Sequence, residues 1–169
     1  MKNKVFYIAT TLIVTISVLW ALVTLGSYKT GEPELTEPVK VERVIDGDTI
    51  VISGNITVRL IGIDAPESVH PDESKNTTYG ESASLYLKIL LEDKEVQLEY
   101  DIDQEDDYGR TLAYIYLDGE MVNEKLLRDG IAKIMTISPN TKYLSRFQDA
   151  ELEAKNNNAG FWGNYFKEN

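Results

Sequence analysis

From residue 39 onward, apolar and polar positions fall into short alternating runs that give way to longer helical ones. Val41–Ile45 (VERVI) is a short β-type run, and Thr49–Ile52 (TIVI) is another. Asp46-Gly47 stands between them, and Asp-Gly flanked by β-branched runs is a strong hairpin signal. Ser53-Gly54-Asn55 marks a second turn, after which Thr57–Ile63 (TVRLIGI) reads as a third strand. Residues 39–63 therefore predict an antiparallel meander. Pro66 to Thr78 is polar and reads as a loop, whereas Ser82–Leu91 carries its apolar residues densely enough to predict a helix. Lys94–Tyr100 and Thr111–Leu117 predict the fourth and fifth strands. A short helix, Val122–Arg128, follows the Asp118-Gly119 turn, and Leu144–Asn156, rich in Ala, Glu and Leu, predicts the last helix. Five strands with interleaved helices indicate a small α+β, mainly β, or barrel domain.

The N-terminal pattern is of another kind. Lys2 and Lys4 precede 22 uncharged residues, Val5 to Gly26. A run of about 20 residues spans the hydrocarbon core of a bilayer. Basic residues ahead of it favour an inside N-terminus and an outside domain. Thr10, Thr11, Thr15 and Ser17 interrupt the run, and Thr24-Leu25-Gly26 is a tolerable small-residue cleavage site, so residues 1–26 are a transmembrane signal anchor or a cleaved signal peptide. Either exports the domain, to the outer face of the membrane or into the medium. Residues 27–38 hold Pro33 and Pro38, lack periodicity and read as a linker. The domain is expected over 39–163, with a short tail over 164–169.

Composition narrows the chemistry. The 169 residues suggest one domain. There is no cysteine, which excludes disulfide scaffolds, thiolate metal sites and cysteine nucleophiles, and His70 is the only histidine. Demanding chemistry must therefore use carboxylates, arginine, hydroxyls or a bound hard cation. Net charge is −11; beyond residue 26 the chain carries 15 basic against 28 acidic side chains, a net −13. Such a surface repels polyanions.

Placing the acids on the meander gives a candidate centre. The second hairpin sets Asp48 opposite the chain near Leu60, and Asp64 lies just past the end of the same strand. Asp48, Asp64 and Glu67 are thus expected at one end of one hairpin. Carboxylates that close raise one another's pKa unless a cation sits between them, and an oxygen-only set favours Ca²⁺ or Mg²⁺. Asp46 is explained by turn chemistry alone. Arg59, mid-strand, and Arg110, at the start of strand five, are either ion-pair partners of nearby acids or a fork for phosphate oxygens. The acidic stretch Glu92–Asp107 does not fit a calcium-binding helix–loop–helix, because Asp106 and Leu112 stand where that loop needs Gly and Glu.

Four ordered motifs now converge. Val44-Ile45-Asp46-Gly47-Asp48-Thr49, Arg59-Leu60-Ile61-Gly62-Ile63-Asp64-Ala65-Pro66-Glu67, Tyr108-Gly109-Arg110-Thr111-Leu112-Ala113-Tyr114-Ile115-Tyr116 and Asp118-Gly119-Glu120-Met121-Val122-Asn123-Glu124 together resemble the signature of the thermonuclease (staphylococcal-nuclease-like) family. His70-Pro71, Tyr79-Gly80 and Ala159-Gly160-Phe161-Trp162 also fit, and the resemblance covers about Val39 to Trp162. It implies a five-stranded OB-fold barrel with three helices. It also implies a monomeric Ca²⁺-dependent endonuclease that acts on DNA and RNA and leaves 3′-phosphate ends. In that pattern Asp48, Asp64 and the backbone carbonyl of Ala65 ligate one Ca²⁺. Glu67 orients or deprotonates the attacking water, and Arg59 and Arg110 neutralise the phosphate. Tyr108 and Leu112 contact the bound nucleotide. Alanine at Arg59, Glu67 or Arg110 is then expected to cut turnover by orders of magnitude and leave the fold intact.

The sequence also departs from the family. Asp107 replaces a lysine usual before Tyr-Gly-Arg, tyrosines that flank the nucleotide are absent around Thr136 and Ser138, and loops such as Asp72-Glu73 are acidic. Weak substrate binding is therefore expected, since Lys and Arg contacts to phosphate supply most non-specific nucleic-acid affinity. Two other classes are a catalytically weak OB-fold nucleic-acid-binding module on the cell surface and an anchored adhesin or scaffold.

Overall fold

The computed structural model describes residues 32–66 and 78–163. The apolar N-terminal run, Glu67 and His70 lie outside the described residues. The chain divides into two compact units, Met1–Pro33 and Glu34–Asn169, and every strand and helix among the described residues belongs to the second. Among the described residues no helix is long and apolar enough to cross a membrane.

The described residues form eight strands and three α-helices in succession: β1 (Val39–Val44), β2 (Thr49–Ile52), β3 (Ile56–Leu60), β4 (Ile63–Asp64), α1 (Thr78–Leu91), β5 (Glu95–Glu99), β6 (Thr111–Leu117), β7 (Glu120–Met121), α2 (Val122–Arg128), β8 (Lys133–Ile134) and α3 (Leu144–Asn157). Five strands close on themselves as expected. β1 pairs antiparallel with β2 and with β5, β2 with β3, and β5 with β6. A parallel pairing of β3 with β6, Arg59 opposite Leu112, completes the ring.

Two local features depart from the sequence pattern. Asp46-Gly47 lies between β1 and β2, but Gly47 is there for space as much as for turning. A Cβ on it would fall 2.5 Å from the Ala65 Cβ and 2.8 Å from the Ala83 Cβ. The expected third strand, Thr57–Ile63, is broken in two. Gly62 takes a left-handed φ of 80°, and Ile63–Asp64 turns away to pair with Lys133–Ile134 in a separate two-stranded ribbon. The apolar period of that segment gives no sign of the break, because Ile61 and Ile63 are both buried on either side of it.

Leu87 and Leu91 of α1, Leu98 and Ile115 of the barrel, Leu126 and Leu127 of α2, and Phe147 of α3 are all buried in one core. Burial of each large side chain contributes on the order of 1.5–3 kcal/mol. The stretch read as a linker reaches this body: Thr36 N donates to the Leu98 carbonyl (2.9 Å), and Leu98 N donates to Thr36 Oγ1 (3.0 Å). The chain is thus held from Thr36 on, ahead of β1.

Candidate active site

The β2–β3 register carries the first half of the site. Thr49 lies opposite Arg59, and Leu60 N donates to the Asp48 carbonyl at 2.9 Å. Asp48 therefore sits where the second hairpin is expected to place it. Its carboxylate is inside the protein, 9% exposed, and is held from three directions. Thr49 Oγ1 donates to Oδ1 (3.0 Å), Ala65 N donates to Oδ2 (2.8 Å), and Arg59 Nε lies 3.0 Å from Oδ1. Burial pushes the Asp48 carboxyl up to about 7. Arg59 pulls it down, Asp46 pushes it further up, and the bonds from Ala65 and Thr49 pull it down.

Arg59 uses all three guanidinium nitrogens. Nε faces Asp48, Nη1 donates to the Leu60 (2.8 Å) and Ile63 (2.9 Å) carbonyls, and Nη2 lies 3.5 Å from Asp64 Oδ1. The break at Gly62 makes this possible. It brings the Ile63 carbonyl and the Asp64 carboxylate back over Arg59, near the end of β3. Asp48 and Asp64 are thus bracketed by one guanidinium, with Asp64 half-exposed. Asp46 behaves as turn chemistry predicts, its Oδ1 accepting from Asp48 N at 3.1 Å.

The second half comes from the loop before β6. Arg110 Nε donates to Asp106 Oδ2 at 2.7 Å, and its guanidinium carbon lies 5.4 Å from the centre of the Tyr108 ring. Tyr108 is 85% exposed. Burial would raise the Asp106 carboxyl, but bonds from the Arg110 and Tyr108 backbones and from the Arg110 side chain outweigh it and hold the group below the usual carboxylate range. The acidic stretch ahead of β6 is therefore partly internal. Asp106 is bound in this way, and Asp101 accepts from the Tyr114 hydroxyl (2.8 Å) and from Lys142 N (3.2 Å).

Both halves face one cleft of about 530 Å³. Asp46, Asp48, Arg59 and Asp64 line one side of it, and Asp103, Glu105, Asp106, Asp107, Tyr108, Arg110 and Leu112 line another. Met135, Ile137, Ser138, Pro139 and Asn140 close the rest, so Ser138, near which the family's tyrosines are missing, does border the cleft. Among the described residues, seven acids and two arginines line it.

The chemistry of the donor set fits a hard cation. Asp48 and Asp64 present carboxylate oxygens on either side of one guanidinium, Ala65 adjoins both, and the Asp48 anion is poorly solvated where it stands. Among the described residues no three acids gather closely enough to hold an ion by themselves. The third expected acid, Glu67, falls outside those residues.

Of the sequence-predicted residues, the cleft thus brings together Asp48, Asp64, Arg59, Arg110, Tyr108 and Leu112, with Ala65 bonded to Asp48. Sequence reasoning misses two contributors. Asp106 looks like one acid among many. Asn140, buried, ties the two lips of the cleft, accepting from Asp103 N (2.9 Å) and donating to the Asp103 carbonyl (2.8 Å). An Asn beside a proline reads as a turn, and a partner 37 residues away leaves no local signal.

Known proteins resemble this chain closely. A family model described as staphylococcal nuclease homologue matches residues 57–164. A thermonuclease of Staphylococcus hyicus is 43% identical over 128 residues, 74% of this chain and 75% of that protein. A thermonuclease of Staphylococcus intermedius is 41% identical over 141 residues, 81% of this chain and 83% of that one. Endonuclease YncB of Bacillus subtilis is 43% identical over 129 residues, 73% of this chain and 61% of its own length.

Proposed function

Because the chain belongs to the staphylococcal nuclease homologue family and is a nuclease-type hydrolase, we propose that it is a Ca²⁺-dependent endonuclease acting on DNA and RNA and leaving 3′-phosphate ends. The observation that carries this reading is the convergence of Asp48, Asp64, Arg59 and Arg110 on one cleft.

Asp48, Asp64 and the Ala65 carbonyl would hold the ion, which when bound acts as a Lewis acid toward a phosphate oxygen and contributes several kcal/mol. Arg110 is the phosphate-facing arginine, because its two Nη atoms have no hydrogen-bond or ion-pair partner among the described residues. It would bind the non-bridging oxygens and stabilise the charge that builds as phosphorus becomes pentacoordinate. A phosphate-directed arginine contributes about 10³–10⁵ in phosphoryl transfer. Arg59 has less to offer a ligand, since its nitrogens already bind Asp48, Asp64 and two carbonyls. Its work is to fix the two carboxylates and to lend the cleft one positive charge. Glu67 would orient the attacking water or take its proton, a contribution of about 10²–10⁴. A 3′-phosphate product requires that water adds to phosphorus and that the P–O5′ bond breaks, the 5′ oxygen leaving with a proton. Tyr108 and Leu112 would flank the nucleotide. The N-terminal run supports export, with a monomeric domain held at the outer face of the membrane or released from it.

Product analysis tests the reading. An internally labelled single-stranded oligonucleotide incubated with the purified chain and Ca²⁺ should give internal fragments ending in 3′-phosphate by mass. Fragments carrying 5′-phosphate and 3′-hydroxyl ends would place the attack on the other side of phosphorus and rule the mechanism out.

A further inference from the structure

Arg110 has one anchored edge and one open end. Asp106 uses its two carboxylate oxygens for different tasks. Oδ1 accepts from Tyr108 N (3.0 Å) and Arg110 N (2.9 Å), while Oδ2 accepts from Arg110 Nε (2.7 Å). Asp106 N in turn donates to the Arg110 carbonyl at 3.0 Å. One carboxylate therefore closes the loop and grips the side chain that the loop presents, so the backbone and the guanidinium of Arg110 share a single reference point.

The grip has a defined chemical effect. With Nε occupied, a phosphate can be met in bidentate fashion only through the Nη1–Nη2 edge. A free arginine side chain samples many rotamers, and part of that entropy loss is taken before substrate arrives. Arg59 is held in the same way, its Nε on Asp48 Oδ1 at 3.0 Å. Both arginines of the cleft thus spend Nε on a carboxylate from their own neighbourhood. Asp107, next in sequence, is exposed and makes no such contact among the described residues.

We propose that Asp106 is a positioning residue for phosphodiester cleavage: it fixes which edge of Arg110 meets the phosphate. The proposal rests on Arg110 being the phosphate-binding arginine. Asp106→Asn is the diagnostic variant. Its amide oxygen can still accept from the two backbone N–H groups, while its NH₂ cannot accept from Arg110 Nε. Asp106→Ser closes the turn with a hydroxyl and also lacks the grip, so it reads the same quantity if the asparagine variant misfolds.

On a single-stranded fluorogenic oligonucleotide with saturating Ca²⁺, either variant should lose about tenfold or more in kcat, with KM within about threefold and only a small drop in thermal midpoint, as for loss of one partly exposed ion pair. In an Arg110→Ala background the same substitution should cost nothing further, as expected for groups acting as one unit. The Arg110 Nε–H resonance should exchange slowly in the parent protein and fast in Asp106→Asn, whatever the activity. Parent-like kcat in both variants would overturn the proposal. So would a rise in activity, which would make Asp106 a competitor for Arg110, or an equal loss in the Arg110→Ala background, which would make its role general. An Arg110→Ala protein with full activity would remove the underlying reading of Arg110, an outcome distinct from failure of Asp106 alone.

Discussion

At the scale of single residues, the two arginines are chemically alike but differently placed. Arg59 is 11% exposed and locked among two carboxylates and two carbonyls. Arg110 is a third exposed and held by one nitrogen. Their alanine variants should therefore separate. Arg59→Ala strands the buried Asp48 carboxylate, and breaking a buried pair by deleting one partner costs about 3–5 kcal/mol. Chemical denaturation should show that loss along with lost turnover, which revises the expectation of an intact fold. Arg110→Ala should keep its unfolding free energy within about 1 kcal/mol of the parent's and lose roughly 10³-fold or more in kcat. Equal stability of the two variants would show that the Arg59–Asp48 pair carries no net energy.

At the scale of elements, the barrel was legible and the way it is bent at the site was not. Hairpin signals and β-branched runs located all five barrel strands, even β2, which is buried at all four positions and so shows no alternation. The same logic ran Thr57–Ile63 together as one strand, since an apolar run is silent about a turn whose flanks are both buried. Only Gly62 hinted at it. That glycine has φ 80°, and a Cβ there would lie 2.6 Å from the Phe147 ring. Gly62→Ala should therefore lower stability by about 2 kcal/mol or more. It should also depress activity, because the turn swings Asp64 back over Arg59. A variant with parent-like melting would mean that the chain can make this turn with a side chain in place. In the site itself, Asp48, Asp64 and Arg59 were legible because hairpin register is local arithmetic. The Asn140–Asp103 tie and the choice of Asp106 over Asp107 were not, because they depend on which way a loop faces and on partners far away in sequence.

At the scale of the whole molecule, chemistry and electrostatics pull in opposite directions. The part beyond residue 26 carries a net −13, and among the described residues acids outnumber arginines in the cleft seven to two. Of those residues, Arg59 and Arg110 are the ones able to release counterions from a bound strand. For single strands the logarithmic salt slope is about −0.7 per phosphate neutralised, so two contacts give a slope no steeper than about −1.4. Oligonucleotide binding measured against monovalent salt at fixed Ca²⁺ should show that shallow dependence. A slope of the size typical of many phosphate contacts would reveal a basic surface outside the cleft.

The central claim is that the acids and guanidinium groups around one cleft, with a hard cation, open a phosphodiester to water. It is tested most directly by the cleavage rate of a single-stranded oligonucleotide by the purified chain in Ca²⁺ and in chelator. Cleavage in Ca²⁺ that chelator abolishes is the expected result; cleavage unchanged by chelator, or none in Ca²⁺ from a folded protein, would contradict it.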